Sequence, residues 1–266
     1  MTILEELAEA LLKAERPVIV TGAEISLASG IPTFRGTDPG AVWKKDVTEL
    51  GTMRYFNEEP EGSWSWYLDR FDRVFGAKPN AGHLALVEIE NTLQSKAREF
   101  LLVTQNIDGL HRQAGSKNLV EVHGTADRVR CADLGCRLGS PKGSIPRADI
   151  DLTIFRASPT RDNVPRCPEC QDFLRQHVLW FDEYYTGHDD YQWPRVERAA
   201  KTADVVVFVG TSLSVGVTHL IAYQASLNYR PVFNIDPAGH AIEGVKLIQQ
   251  ASEEALPQLA KLLANT

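Results

Sequence analysis

Four cysteines stand as Cys131-x4-Cys136 and, 30 residues further on, Cys167-Pro-Glu-Cys170. Two short thiolate knuckles of this kind can converge on one tetrahedral ion, and four sulfurs fill every position around zinc. The spacing therefore predicts a structural zinc, because a catalytic one needs a position open to water. Two disulfides are the alternative. They are disfavoured because Met1–Arg16, with Glu5, Glu6, Glu9 and Glu15, does not read as a secretion signal. A second chemistry is offered by His123, in Val120-Glu-Val-His-Gly124 at the end of an alternating strand. Imidazole, with an unperturbed pKa of about 6.5, suits proton abstraction at neutral pH, although a single histidine is more often structural. Thr104-Gln-Asn-Ile-Asp-Gly-Leu-His111 begins where a buried strand ends, so Gln105, Asn106 and Asp108 are placed to meet a ligand. The same Asn-Ile-Asp-Gly is also a sound turn sequence.

These groups need elements to hold them. Pro17–Thr21, Phe100–Thr104, Asp204–Val209 and Pro231–Ile235 are near-continuous apolar runs, the pattern of parallel strands buried on both faces. Helical periodicity falls at Ile3–Ala14, His83–Asn91, Gln192–Lys201, Thr218–Leu227 and Ser252–Leu263. Alternation of the two predicts an α/β fold, a Rossmann-like doubly wound parallel sheet. Residues 1–36, 83–126 and 177–266 would form that Rossmann-like domain. A helical insertion (37–82), rich in Trp, Tyr and Glu, and a zinc-binding module (127–176) would form a smaller one.

Strand ends in such a sheet are where ligands bind. Thr21-Gly-Ala-Glu-Ile-Ser-Leu-Ala-Ser-Gly30 follows the first strand, where a dinucleotide fold seats pyrophosphate, though Glu24 occupies the second glycine position of the usual fingerprint. By itself a plain strand-to-helix turn explains it equally. Phe34 and Arg35 follow in a loop, able to shield a reactive carbon and to hold phosphate, or else to be a core Phe and a surface Arg. Gly210-Thr-Ser-Leu-Ser214 resembles another phosphate or ribose turn, and Asn234-Ile-Asp236 ends a strand where an amide or acid grips ribose hydroxyls. No apolar run approaches the roughly 20 residues of a membrane span. A formal net charge of −7 argues against a nucleic-acid partner. A cytoplasmic monomer is expected.

In order along nearly the whole chain these segments resemble the sirtuin family. The resemblance is carried by Gly22-Ala-Glu-Ile-Ser26, Ser29-Gly-Ile-Pro-Thr-Phe-Arg35, Thr104–His111, His123-Gly124, the four cysteines, Trp180-Phe-Asp-Glu183, Gly210–Leu213 and Asn234. It implies NAD and Zn2+ as cofactors, and NAD-dependent removal of acyl groups from protein lysines, with release of nicotinamide and O-acyl-ADP-ribose. By that analogy His123 is the catalytic base acting on a ribose hydroxyl. Asn106 and Asp108 shape the nicotinamide pocket, and Gln105 bonds a ribose hydroxyl. Gly22, Ala23, Ser26, Phe34 and Arg35 line the nicotinamide–phosphate channel. Gly210, Thr211, Ser212, Asn234 and Asp236 hold phosphate and the adenosine ribose. An acylated protein segment lies as an extended strand along Val178, Trp180 and Phe181. Sirtuins that prefer succinyl- and malonyl-lysine carry a Tyr-x-x-Arg, matched by Tyr67 and Arg70, with Gly51 as the small residue that widens the pocket and Thr33 in agreement. Glu24, Thr33 and Asp182 depart from the common family residues. An NAD glycohydrolase or mono-ADP-ribosyltransferase is the alternative on the same fold.

Overall fold

The computed structural model describes residues 1–33, 47–211, 213, 216–239 and 243–265. In chain order the elements are α1 (Ile3–Lys13), β1 (Pro17–Thr21), α2 (Val47–Leu50), α3 (Met53–Glu58), α4 (Pro60–Val74), α5 (Ala81–Ser95), β2 (Leu101–Thr104), α6 (Leu110–Ala114) and β3 (Leu119–Glu121). There follow β4 (Gly124–Cys131), β5 (Ile145–Pro146), α7 (Thr153–Ala157), β6 (Leu174–Val178), α8 (Trp193–Thr202), β7 (Val205–Val209), α9 (Gly216–Leu227), β8 (Val232–Ile235), β9 (Val245–Ile248) and α10 (Ser252–Ala264).

Six strands form one parallel sheet in the order β3-β2-β1-β7-β8-β9. Successive residues of a strand point to opposite faces, and both faces are covered. Ile19, Leu102, Val207 and Phe233 enter a core closed by α1, α5 and α10. Val18, Val20, Val103, Val206 and Phe208 enter a second core, closed by α8 and α9. That double burial explains why the four apolar runs were readable, each within one residue of the strand found. The strand β9 has no counterpart among them. Chain order runs outward in both directions from the β1–β7 pair, so a crevice opens at their carboxyl ends.

A three-stranded antiparallel sheet, β5-β4-β6, carries Cys131 at the end of β4, and the other three cysteines lie in the loops beside it. It shares one core with the helical insertion. Phe56, Trp64, Tyr67, Leu68 and Phe71 pack with Val129, Cys131, Phe155, Cys167, Leu174 and Trp180. The strand β4 begins at Gly124, directly after His123, and pairs Gly124 with Val178. Among the described residues no helix is long and apolar enough to cross a membrane.

Candidate active site

Thr21 ends β1, and its hydroxyl donates to Thr104 Oγ1 at the end of β2 (2.8 Å). This bond locks two strand ends side by side, and the loops that leave them converge. Gly22 is the first residue past β1, and its N–H donates to Val209 O at 3.0 Å. A side chain there would meet Gly210 O at 2.6 Å and Thr211 Cβ at 2.7 Å, so only glycine lets the β1 and β7 loops pass this closely. Gly210 answers with φ +57° and no room beside Ile25 N. Glu24 follows Gly22 in a 3₁₀ turn (Ala23–Ser29), its N–H on Gly210 O, so the residue that breaks the glycine fingerprint is accommodated within the turn.

Asn106 and Asp108 lean on this turn. Asn106 Nδ2 donates to Gly22 O (2.9 Å) and Ser26 Oγ (3.3 Å). The Ser26 hydroxyl donates to Asp108 Oδ2 (2.7 Å), while Leu110 N–H donates to Oδ1 (2.9 Å). Desolvation raises the Asp108 pKa against the pull of those donors. Gln105 Nε2 donates to Thr211 Oγ1 (3.0 Å), joining the β2 and β7 loops. Beyond them, Asn234 is buried at the end of β8 with its Oδ1 free of any protein donor among the described residues, and Asp236 Oδ1 accepts from Ala238 N–H. Glycine-packed loops at the carboxyl ends of β1 and β7, and a buried acceptor awaiting a donor beyond them, fit a dinucleotide along these strand ends.

His123 follows β3 and is half-buried. Its Nδ1 lies 2.8 Å from Gln105 O. A carbonyl only accepts, so Nδ1 carries the proton and Nε2 keeps a lone pair. Burial pushes the imidazole pKa down to about 4, against a small upward pull from the Gln105 carbonyl. Nε2 faces the Tyr185 hydroxyl at 3.4 Å, and the two rings stack with centroids 5.8 Å apart. Tyr185 in turn stacks on Trp193 at 4.2 Å. Nothing in the sequence marks Tyr185, a tyrosine in a polar run, and only the fold brings it to His123.

On the other side of the cleft, Leu179 N–H donates to His123 O (2.8 Å) and Phe181 N–H to Gly51 O (2.9 Å). Trp180 is buried against Phe56 and Tyr67, and Phe181 is exposed. Trp180 N–H donates to Glu183 Oε2 (2.9 Å), and Glu183 takes a two-pronged bond from buried Arg175 (2.6 and 2.9 Å). Arg175, together with buried Arg130 at 3.0 Å, holds the Glu183 carboxyl below the usual range despite burial. Val178 ends β6, so regular strand stops two residues short of Trp180. Tyr67 and Arg70 both meet Trp66 on α4. The Tyr67 ring packs edge-on to it (4.6 Å), and the Arg70 guanidinium lies 4.0 Å over it, with Nη1 donating to Trp66 O (2.7 Å). Tyr67 and Arg70, three residues apart on α4, are thus both organised around the Trp66 side chain. Phe34, Arg35 and Ser212 lie outside the described residues.

The cysteines meet as their spacing predicts. All four sulfurs lie within 4.8 Å of one another, with Cys131–Cys170 at 3.4 Å and Cys136–Cys167 at 3.6 Å. Zn–S bonds of about 2.3 Å put tetrahedral sulfurs roughly 3.8 Å apart, whereas a disulfide needs about 2.05 Å. The set fits zinc and excludes the disulfide alternative. Arg137 bonds Glu169 across the two knuckles, Nε to Oε2 at 2.7 Å.

A doubly wound sheet with ligand loops at its switch point and a closed tetrathiolate module defines a Rossmann-type enzyme with a structural zinc. The chain belongs to the Sir2 family, whose sequence profile matches residues 22–217. It is 38% identical over 269 residues to an NAD-dependent protein deacylase of Thermus thermophilus, covering 96% of this chain and 97% of that one. It is 35% identical to an NAD-dependent protein deacylase, sirtuin-5A, of Xenopus laevis, covering 88% and 77%. A solved structure of a Sir2 homolog–NAD complex superimposes with a TM-score of 0.78 at 30% identity, covering 98% and 94%.

Proposed function

We propose that this chain is an NAD-dependent protein-lysine deacylase with His123 as general base, and that it prefers acidic acyl groups, succinyl and malonyl, to acetyl. The observation that carries the reading is the state of His123: neutral, with Nδ1–H spent on Gln105 O and the Nε2 lone pair facing the Tyr185 hydroxyl at 3.4 Å. Such an imidazole is ready to take a proton from a sugar hydroxyl. NAD, when bound, supplies an electrophilic anomeric carbon that accepts the acyl oxygen as nicotinamide leaves. Gly22 and Gly210 would admit its phosphates, Thr211 and Asn234 the adenosine half, and Gln105, Asn106 and Asp108 the nicotinamide ribose. The donors of Asn106 are already spent on Gly22 O and Ser26, so its Oδ1 is the group left for a ligand. An acyl-lysine segment would extend along the backbone of residues 178–181, by strand addition.

Support for the acidic preference is the placement of Tyr67 and Arg70 around Trp66, with Tyr67 stacked on Trp180 and Gly51 bonded to Phe181. A guanidinium that swings from the Trp66 ring could grip a carboxylate with paired N–H donors. The test is nicotinamide release from NAD alone and with acetyl-, succinyl- and malonyl-lysine peptides. Release should require peptide, and kcat/KM should be highest for the acidic acyl groups. Peptide-independent release would make the enzyme a glycohydrolase. Acetyl turnover at or above succinyl turnover would remove the preference and leave the deacylase.

A further inference from the structure

Among the described residues, a second group besides the cysteines can converge on one ion: His177, His188 and Asp190, whose candidate ligand atoms all lie within 4.8 Å of one another. His177 is the last residue but one of β6, while His188 caps, and Asp190 lies in, the 3₁₀ turn Asp189–Tyr191, just after the turn that begins at Tyr185. His188 Nε2 lies 3.1 Å from Gly143 O, and a carbonyl can only accept, so Nε2 bears the hydrogen. The lone pair is therefore on Nδ1, which accepts Asp190 N–H at 3.1 Å and also faces Asp190 Oδ2 at 3.7 Å. That lone pair is met by the Asp190 N–H, so an ion bound at Nδ1 takes the place of this hydrogen bond. His177 is 1% exposed. Its Nε2 is 3.1 Å from the same Oδ2, yet no hydrogen bond to either ring nitrogen is aligned.

We propose that His177, His188 and Asp190 form a second divalent-metal site, separate from the four-cysteine centre and suited to a borderline ion such as Zn2+. A cation between His188 Nδ1, His177 Nε2 and Asp190 Oδ2 takes these three atoms as ligands, displacing the Asp190 N–H from Nδ1 and giving the partnerless His177 Nε2 a role. Bonds of about 2.0–2.2 Å set neighbouring tetrahedral donors roughly 3.4 Å apart, which the 3.1 and 3.7 Å separations bracket. The Gly143 carbonyl holds His188 in the ligating tautomer, the outer-shell contact that metal-bound histidines usually show. Both imidazoles are buried, and Asp190 is half-exposed and gives an entry path. Three protein ligands leave a position for water. The ion would clasp the turn bearing Tyr185 to β6, and so help to seat Tyr185 against His123.

The test is metal content, which does not depend on deacylase activity. Protein loaded with Zn2+ and desalted should carry two zinc ions per chain, and His188→Gln and Asp190→Asn should each carry one. Asp190 is exposed, so its variant stays informative if His188→Gln fails to fold. With Co2+ in place of zinc, the difference spectrum between wild type and Asp190→Asn should show d–d bands without thiolate-to-metal charge transfer. One zinc per wild-type chain, two zinc ions retained in Asp190→Asn, or thiolate bands in the difference would each overturn the proposal.

Discussion

The Gln105 carbonyl decides what His123 can do. By taking Nδ1–H it leaves Nε2 as the only basic atom, and the surrounding protein keeps that atom unprotonated down to about pH 4. His123→Ala should therefore keep NAD affinity, measured by calorimetry, while deacylation falls by roughly 100-fold or more. Undiminished turnover would take His123 out of the chemistry. The pH profile offers an independent check. The base is active when neutral, so the acid limb of kcat/KM should lie near the depressed value and not at about 6.5, the figure for a solvated imidazole. An acid limb at the solvated value would mean that the cleft admits water freely to the ring. Asn106 acts earlier in the reaction by this reading. Asn106→Ala should slow nicotinamide release itself, which base exchange with labelled nicotinamide would reveal.

On the proposed reading, elements set which acyl group reaches His123. Arg70 lies one turn from Trp66 on α4 and is parked on its ring. A charge-assisted contact to a buried carboxylate is worth roughly 2–4 kcal/mol, so Arg70→Met should cut desuccinylation about 30- to 1000-fold and spare deacetylation. Equal losses on both substrates would mean that Arg70 only supports the helix. Asp182, which replaces a glycine common in the family, has a structural account. Its carboxylate accepts Met53 N–H (2.8 Å) and Arg54 N–H (3.1 Å) at the start of α3, tying the peptide-side loop to the insertion. Asp182→Gly should cost about 0.5–2 kcal/mol, as lost helix caps do, and raise peptide KM more than it lowers kcat. An unchanged melting temperature and KM would refute the tie. None of this tying was legible in the sequence, which shows side-chain types but not what a loop rests on. The parallel strands were legible because helices bury both their faces. The strand β9 was not, since Val245-Lys-Leu-Ile248 is a short edge that is only partly covered. Nor was the β4–β6 pair, whose strands bury Arg130 and Arg175. These arginines are neutralised by Glu183 (3.0 and 2.6 Å), and to a hydrophobicity reading they look like surface.

Two bodies of core, one around the large sheet and one joining the insertion to the zinc module, make different demands on solution conditions. Cys131 and Cys167 belong to the second core together with Trp64 and Trp180, and binding free energy at a tetrathiolate site is folding free energy. A chelator should therefore diminish the tryptophan near-UV signal by the share of Trp64 and Trp180, and abolish activity, before the far-UV signal of the α/β core declines. The large core is sensitive to acid instead. Beneath the β1 and β2 loops His83 and His111 pack 4.8 Å apart, both fully buried, and His111 Nε2 is 2.9 Å from Thr21 Oγ1. Burial lowers the His83 pKa to about 4 and that of His111 well below its usual value. In the unfolded chain both titrate near about 6.5. As pH drops below that point the unfolded state takes up protons that the folded state refuses, so stability falls through the interval between about 6.5 and 4. Above it these groups leave stability unchanged. Each contributes a slope of up to about 1.4 kcal/mol per pH unit, which predicts a melting temperature that is flat above neutrality and declines steeply toward pH 5. His83→Asn removes one of the two titrating groups, so its melting temperature should fall less steeply between those limits even if it starts lower. Parallel declines in wild type and variant would mean that the acid sensitivity comes from elsewhere in the chain.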